Sequence, residues 1–279
     1  MLERRLLLVT GKGGTGKSAV AASLAIAAGR RGLRVLALAM DDGAGLARHL
    51  RADSPGPLPR RCGDVSIALV DPGAALDQYL RLRIRVPRLA AVSRIFAAMA
   101  ETVPGVRDTV MIGKVIYEST RSRWDLVVAD APPTGQVLSY LGAPATIAGL
   151  VPTGAVRDQA HWMAQTLKDP RHTAALVVAT PEELPTIEAA GFVADIARTG
   201  SIPLAAVVAN RVLPAADFDD PGPDAAGPAA AAARHHLALV AAQQRHLATL
   251  APTRTIPHLF GVRTPGETAE LIADLWETP

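Results

Sequence analysis

Short apolar runs alternate with helical periods along this chain. RLLLVT (5–10), RVLALAM (34–40), WDLVVAD (124–130), TAALVVAT (173–180) and LAAVVAN (204–210) read as buried strands, and VSIALVD (65–71) is a further candidate. SAVAASLAIAAGRRG (18–32) has a helical period and ends at Gly32 with arginines in its last turn. Strands separated by helices predict βαβ units. The expected fold is α/β, a doubly wound, mostly parallel sheet.

These strands end in Thr10, Asp41 (one residue beyond Met40), Asp130, Thr180 and Asn210. Ligands of open α/β sheets sit at the carboxyl ends of the strands, so five polar residues there predict the floor of one site. The whole chain, 1–279, is expected to form one domain. Two mostly helical inserts, at about 72–123 and 143–172, are expected to make a small helical subdomain. Residues 213–232 are rich in Pro, Gly, Asp and Ala and predict a mobile loop before a helix over 233–250.

Composition changes this picture little. With 49% hydrophobic and only 4% aromatic residues, the core must be aliphatic, its helices packed through small side chains. A formal charge of +3 is too small a bias to argue for nucleic acid. The single cysteine, Cys62, excludes an internal disulfide and a CxxC motif. Neither a secretory leader nor a membrane-spanning run is read, so a cytoplasmic location is expected.

GKGGTGKSAV (11–20) carries the chemistry. Gly11, Gly16, Lys17 and Ser18 satisfy G-x-x-x-x-G-K-[ST] between a strand and a helix, the context that a phosphate-binding loop needs. Backbone N–H groups from Gly11 through Gly13, Gly14, Thr15, Gly16 and Lys17 to Ala19 are expected to cradle phosphates, helped by the helix dipole. Lys17 is expected to reach the β- and γ-phosphates of ATP, and Ser18 to ligate Mg²⁺. Lys12 adds a second lysine. G-K-G-G-x-G-K-[ST] resembles the deviant loop of dimeric ATPases, which implies that Lys12 reaches the nucleotide of the facing subunit and neutralises charge on the transferring phosphoryl group.

VVADAPPTGQVLSYL (127–141) resembles the D-T-A-P-T-G-H segment of the arsenite-pump (ArsA) and tail-anchored-protein-targeting (Get-type) ATPases. The resemblance implies Asp130 in the Mg²⁺ shell and a Gly135 N–H for the γ-phosphate. Asp41-Asp42-Gly43-Ala44-Gly45 lies at the family's D-P-A-H-[SN] switch. Only Asp41 carries over, to orient the attacking water, and Asp42 is read as structural. TPEELPTIEA (180–189) and VVANRVLP (207–214) match further segments, which implies Asn210 and Arg211 at the adenine. IPHLFGVRTPGETAEL (256–271) lies at the adenine loop, with Pro257 and Leu259 as candidate contacts.

TVPGVRDTVMIGKVIYE (102–118), DPGAALDQYL (71–80) and VPTGAVRDQAHWM (151–163) resemble a bacterial branch known as paired paralogues in actinobacteria. The implied activity is Mg²⁺-dependent ATP hydrolysis by a homodimer, or by a heterodimer with a paralogous ATPase, acting on an unidentified client. Residues 214–233 lack a CxxC zinc clasp, so no zinc is expected, and Cys62 alone cannot make a metalloid site. Two alternatives stand beside this reading. One is a ParA/MinD-type positioning ATPase, against which the acidic end ETAELIADLWETP argues. The other is a nucleotide-holding subunit that hydrolyses weakly, since Gln136 stands where the family has histidine. The arginines of 81–94, which could form a patch for an anionic surface or a partner, are read as a solvated helix face or loop, and the histidines 235, 236 and 246 match no closed zinc set.

Overall fold

A computed structural model describes residues 1–79, 105–215, 220–222 and 224–277. Its eight-stranded sheet comprises β1 (Leu6–Gly11), β2 (Val35–Ala39), β3 (Arg60–Cys62), β4 (Val65–Leu69), β5 (Leu126–Asp130), β6 (Thr173–Ala179), β7 (Leu204–Val212) and β8 (Arg254–Pro257). The spatial order is β3-β4-β2-β5-β1-β6-β7-β8. Every pairing is parallel except β3 with β4. The predicted α/β sheet is therefore the one observed.

The described helices are α1 (Lys17–Arg30), α2 (Ala44–His49), α3 (Pro72–Tyr79), α4 (Val106–Thr120), α5 (Thr134–Leu150), α6 (Ala155–Lys168), α7 (Glu183–Thr199), α8 (Pro228–Leu250) and α9 (Pro265–Glu277). The period of two along each strand sorts them into two layers. Leu6 and Leu8 of β1 face one core with Met111, Ile116, Val137, Met163 and Phe192 of α4–α7. Leu7 and Val9 face another with Val20 and Leu24 of α1, Leu46 of α2 and Ile272 and Trp276 of α9. Strands buried on both faces need helices on both, which is why these runs are apolar without alternation.

The described parts of the two helical inserts are α3, α4, the later turns of α5, and α6. Residues 80–104 of the first insert, including the arginine run at 81–94, lie outside the described residues. A break at Val151–Gly154 separates α5 from α6, and Met163 and Leu167 of α6 join the core on the sheet face. The helix expected over 233–250 begins at Pro228, because proline suits the first turn, where no N–H bond is needed.

Two strands were not expected. β3 is Arg-Arg-Cys, its arginines exposed and Cys62 half-buried, turned back on β4 through Gly63 and Asp64, with Gly63 at φ 57. In β8 only Ile256 is buried. At the acidic C-terminal end, α9 packs on α1. The indole N–H of Trp276 donates to Ser23 Oγ at 2.9 Å, and Arg30 pairs with Glu270, Asp274 and Glu277. The apolar face of α9 is thus covered by the protein itself. No helix among the described residues is long and apolar enough to cross a membrane.

Candidate functional site

The loop between β1 and α1 lies at the carboxyl edge of the sheet, where β1 runs between β5 and β6. Its glycines are needed by geometry. A side chain on Gly11 (φ 152) would place Cβ 2.0 Å from the Val178 carbonyl oxygen of β6. One on Gly16 (φ 93) would meet Asn210 Nδ2 at 2.3 Å. Both contacts are closer than any carbon can stand, so backbone takes the place of side chain on both sides of the loop.

Three hydrogen bonds hold the loop's shape. Thr15 Oγ1 donates to the Lys12 carbonyl at 2.8 Å, with the Thr15 N–H on the same oxygen at 3.4 Å. From β7, Asn210 Nδ2 donates to the Thr15 carbonyl at 2.8 Å. Thr15 and Asn210 are both buried. The Asn210 Oδ1 accepts the Arg211 N–H at 3.0 Å. Arg211 itself stands at φ 60, beside a register shift between β7 and β8, with its side chain at the surface. A strained backbone at a strand end is a frequent companion of function. Here it turns the chain so that the Asn210 amide faces the loop.

Asp130 ends β5 between β1 and β2, its Cα paired with both Val9 and Ala39. It is buried, and its Oδ2 has no hydrogen-bond partner. Burial raises the carboxyl to about 6, and the charge of Asp41 pushes the same way, while a hydrogen bond from Ser18 and the charge of Lys17 oppose it. A buried acid with an unmatched oxygen beside a serine hydroxyl is a place where a hard cation would fit. Among the described residues no three of His, Cys, Asp or Glu gather into a group. Mg²⁺ in nucleotide sites needs no such cage, since substrate phosphates complete its shell.

The segment after β2 closes over Ser18. Asp41 Oδ1 accepts the Gly43 N–H and Asp42 Oδ1 accepts the Ala44 N–H, both at 2.9 Å, and these bonds start α2. A Cβ on Gly45 would lie 2.7 Å from Ser18 Oγ. Asp41 is exposed, with one carboxylate oxygen engaged in this turn.

Of the other strand ends, Thr10 is not turned to a ligand: its hydroxyl donates to the Pro132 carbonyl at 2.8 Å and ties β1 to the segment after β5. Thr180 is buried beyond β6. Gly135 lies exposed in the first turn of α5, among N–H groups that a helix leaves without partners. Gln136 turns along α5, Nε2 donating to the Tyr140 hydroxyl at 2.9 Å. Pro257 is exposed, whereas Leu259 packs against the core. What the loop after β8 presents instead is the His258–Phe260 ring pair, 4.7 Å between centroids, with Phe260 53% exposed.

Lys12 makes a contact that the sequence did not announce. Its ammonium forms an ion pair with Glu188 on α7 of its own chain. Glu188, Gly45 and Phe260 lie in segments that the sequence singles out, but their contacts with Lys12, Ser18 and His258 join spatial neighbours and follow from no motif.

Comparison with known proteins places the chain in a family. The profile of the family described as "Anion-transporting ATPase" matches residues 4–153, more than half of the chain. The chain is 32% identical over 229 residues to the protein named "ATPase BagA" of Mycobacterium tuberculosis, covering 76% of this chain and 66% of that relative. A "Putative arsenical pump-driving ATPase" of Halobacterium salinarum is 27% identical over 242 residues, 78% of this chain and 37% of that relative. An "ATPase get3" of Schizosaccharomyces japonicus is 26% identical over 143 residues, 50% of this chain and 44% of that relative. The chain thus spans just under two thirds of the mycobacterial relative and less than half of the other two.

Proposed function

Because the chain belongs to the anion-transporting ATPase family, we propose that it binds ATP with Mg²⁺ at the Gly11–Ser18 loop and hydrolyses it as one half of a dimer. The observation that carries this reading is the buried, unpartnered Asp130 Oδ2 beside Ser18, the last residue of the glycine-rich loop. Ser18 and Asp130 would hold Mg²⁺, which supplies charge neutralisation to the β- and γ-phosphates.

The protein's own groups then divide the work. Lys17 places its ammonium on the phosphates, and the first turn of α1 adds its positive end. Gly135 offers an N–H to the γ-phosphate. Asp41 orients the attacking water with the carboxylate oxygen that is not engaged by Gly43. Asn210 keeps the loop in shape, and Arg211, Pro257 and the loop after β8 border the base. Lys12, reaching from the facing subunit, stabilises the charge that builds in the transition state. Opening and closing of the dimer with the state of the nucleotide would act on a client.

The test is ATP turnover by the full chain with Mg²⁺, against Lys12→Ala. A trans cation of this kind contributes on the order of 10³-fold or more to kcat. The variant should lose that turnover while binding a fluorescent ATP analogue as the parent does. Full turnover by Lys12→Ala removes the trans role. A second reading, a nucleotide-holding subunit that needs a paralogue for turnover, has one observation behind it. Gln136 stands where the family pattern has histidine, and its amide is bonded to Tyr140. Turnover that appears only on mixing with a paralogous chain would select that reading.

A further inference from the structure

The proposed function sends Lys12 to a partner's active site, yet its ammonium sits on Glu188 of its own α7. We infer that Glu188 is a positioning residue: it holds Lys12 in cis in the nucleotide-free chain and must release it before Lys12 can serve the facing subunit. The inference rests on the trans reading of Lys12 and adds a regulator of it.

Two features of the structure support this. First, the Lys12 backbone is held, its carbonyl accepting both the N–H and the hydroxyl of Thr15, so exchange of partners needs only the side chain to swing. Second, the pair is at the surface, with side chains 32% and 42% exposed. An ion pair in such a setting is weak enough to break when a better anion, the transferring phosphoryl group, is offered.

The cost of release follows from the strength of exposed pairs, which corresponds to a factor of about 1.5–5 in an equilibrium constant. A symmetric dimer releases two, so removing the restraint should tighten ATP-dependent dimerisation by about 2- to 30-fold. The experiment is sedimentation of the full chain with Mg²⁺ and a non-hydrolysable ATP analogue, for the parent, Glu188→Gln, Glu188→Ala and Lys12→Ala. Both Glu188 variants should dimerise more tightly than the parent, with the same affinity of the monomer for the analogue. The gain should shrink in 0.5 M salt, where surface pairs are screened. A role for Glu188 in the fold alone would not move the dimer constant in this salt-dependent way.

A dimer constant that is unchanged or weaker in the Glu188 variants, while Lys12→Ala is impaired, overturns the restraint and leaves the trans lysine standing. If Lys12→Ala keeps full ATP turnover, the trans reading itself fails and the inference goes with it; a parent that forms no dimer with the analogue overturns the restraint as well.

Discussion

Asn210 separates two roles that the fold could give one side chain. The family resemblance puts it at the adenine, whereas its amide N–H is seen on the Thr15 carbonyl, 2.8 Å away, with both groups buried. Asn210→Ala removes the donor and leaves that carbonyl without a partner in the protein. A buried acceptor stripped of its bond costs about 1–3 kcal/mol. The entropy of unfolding is about 2.1 cal/mol/K per residue, or about 0.6 kcal/mol/K over the 279 residues here, so the melting temperature should fall by about 2–5 °C. The same change loosens the loop and so should weaken ATP and GTP alike. Differential scanning fluorimetry and a fluorescent-nucleotide titration measure the two quantities. An unchanged melting temperature, with loss confined to ATP, would refute the bracing argument and leave Asn210 as a reader of the base.

Three further outcomes follow from the same site. Gly45→Ala puts a carbon 2.7 Å from Ser18 Oγ, so it should raise the Mg²⁺ concentration needed to bind nucleotide by about tenfold, an overpacking cost of 1–3 kcal/mol; an unchanged Mg²⁺ titration would dismiss the contact. Asp130 is an acid whose carboxyl is raised to about 6, so its ionised form opposes folding, fully above pH 6 and not at all below about pH 4. Nucleotide-free Asp130→Asn should therefore melt above the parent at pH 8, by up to about 3 kcal/mol of stability, with the gap closing toward pH 4; a gap independent of pH would sink this account. Trp276→Ala empties the α1–α9 contact and leaves Ser23 without the indole donor, so it should cost about 3–5 kcal/mol of stability in denaturant unfolding, and a loss under 1 kcal/mol would mean that α9 is not anchored there.

The central sheet was legible because its strands are buried on both faces. LLLVTG and TAALVVA have no polar residue facing solvent, and only a parallel sheet with helices on both sides asks for that. β3 and β8 were not legible from hydrophobicity, since Arg60 and Arg61 are exposed and β8 buries only Ile256. The Gly63-Asp64 dipeptide before Val65 was a hairpin signal all the same. The start of α8 was misplaced because a proline before an alanine run reads as a loop in composition and as a first helical turn in geometry.

The polar residues at the strand ends show where sequence reading stops. Position alone made Thr10, Asp41, Asp130, Thr180 and Asn210 equivalent. Hydrogen bonding divides them. Thr10 holds Pro132, and Asn210 holds Thr15, so each is matched inside the protein and serves the shape of the loop. Asp130 is as buried as they are and has an oxygen with no match. A fold does not retain an unmatched buried carboxylate for stability, because removing its charge would make the nucleotide-free protein more stable. That unmatched oxygen is the observation on which the proposed Mg²⁺ site rests. On that criterion Asp130 is the strand-end residue whose chemistry asks for a cation, as the proposed Mg²⁺ site requires, whereas Thr10 and Asn210 have their hydrogen bonds met within the protein.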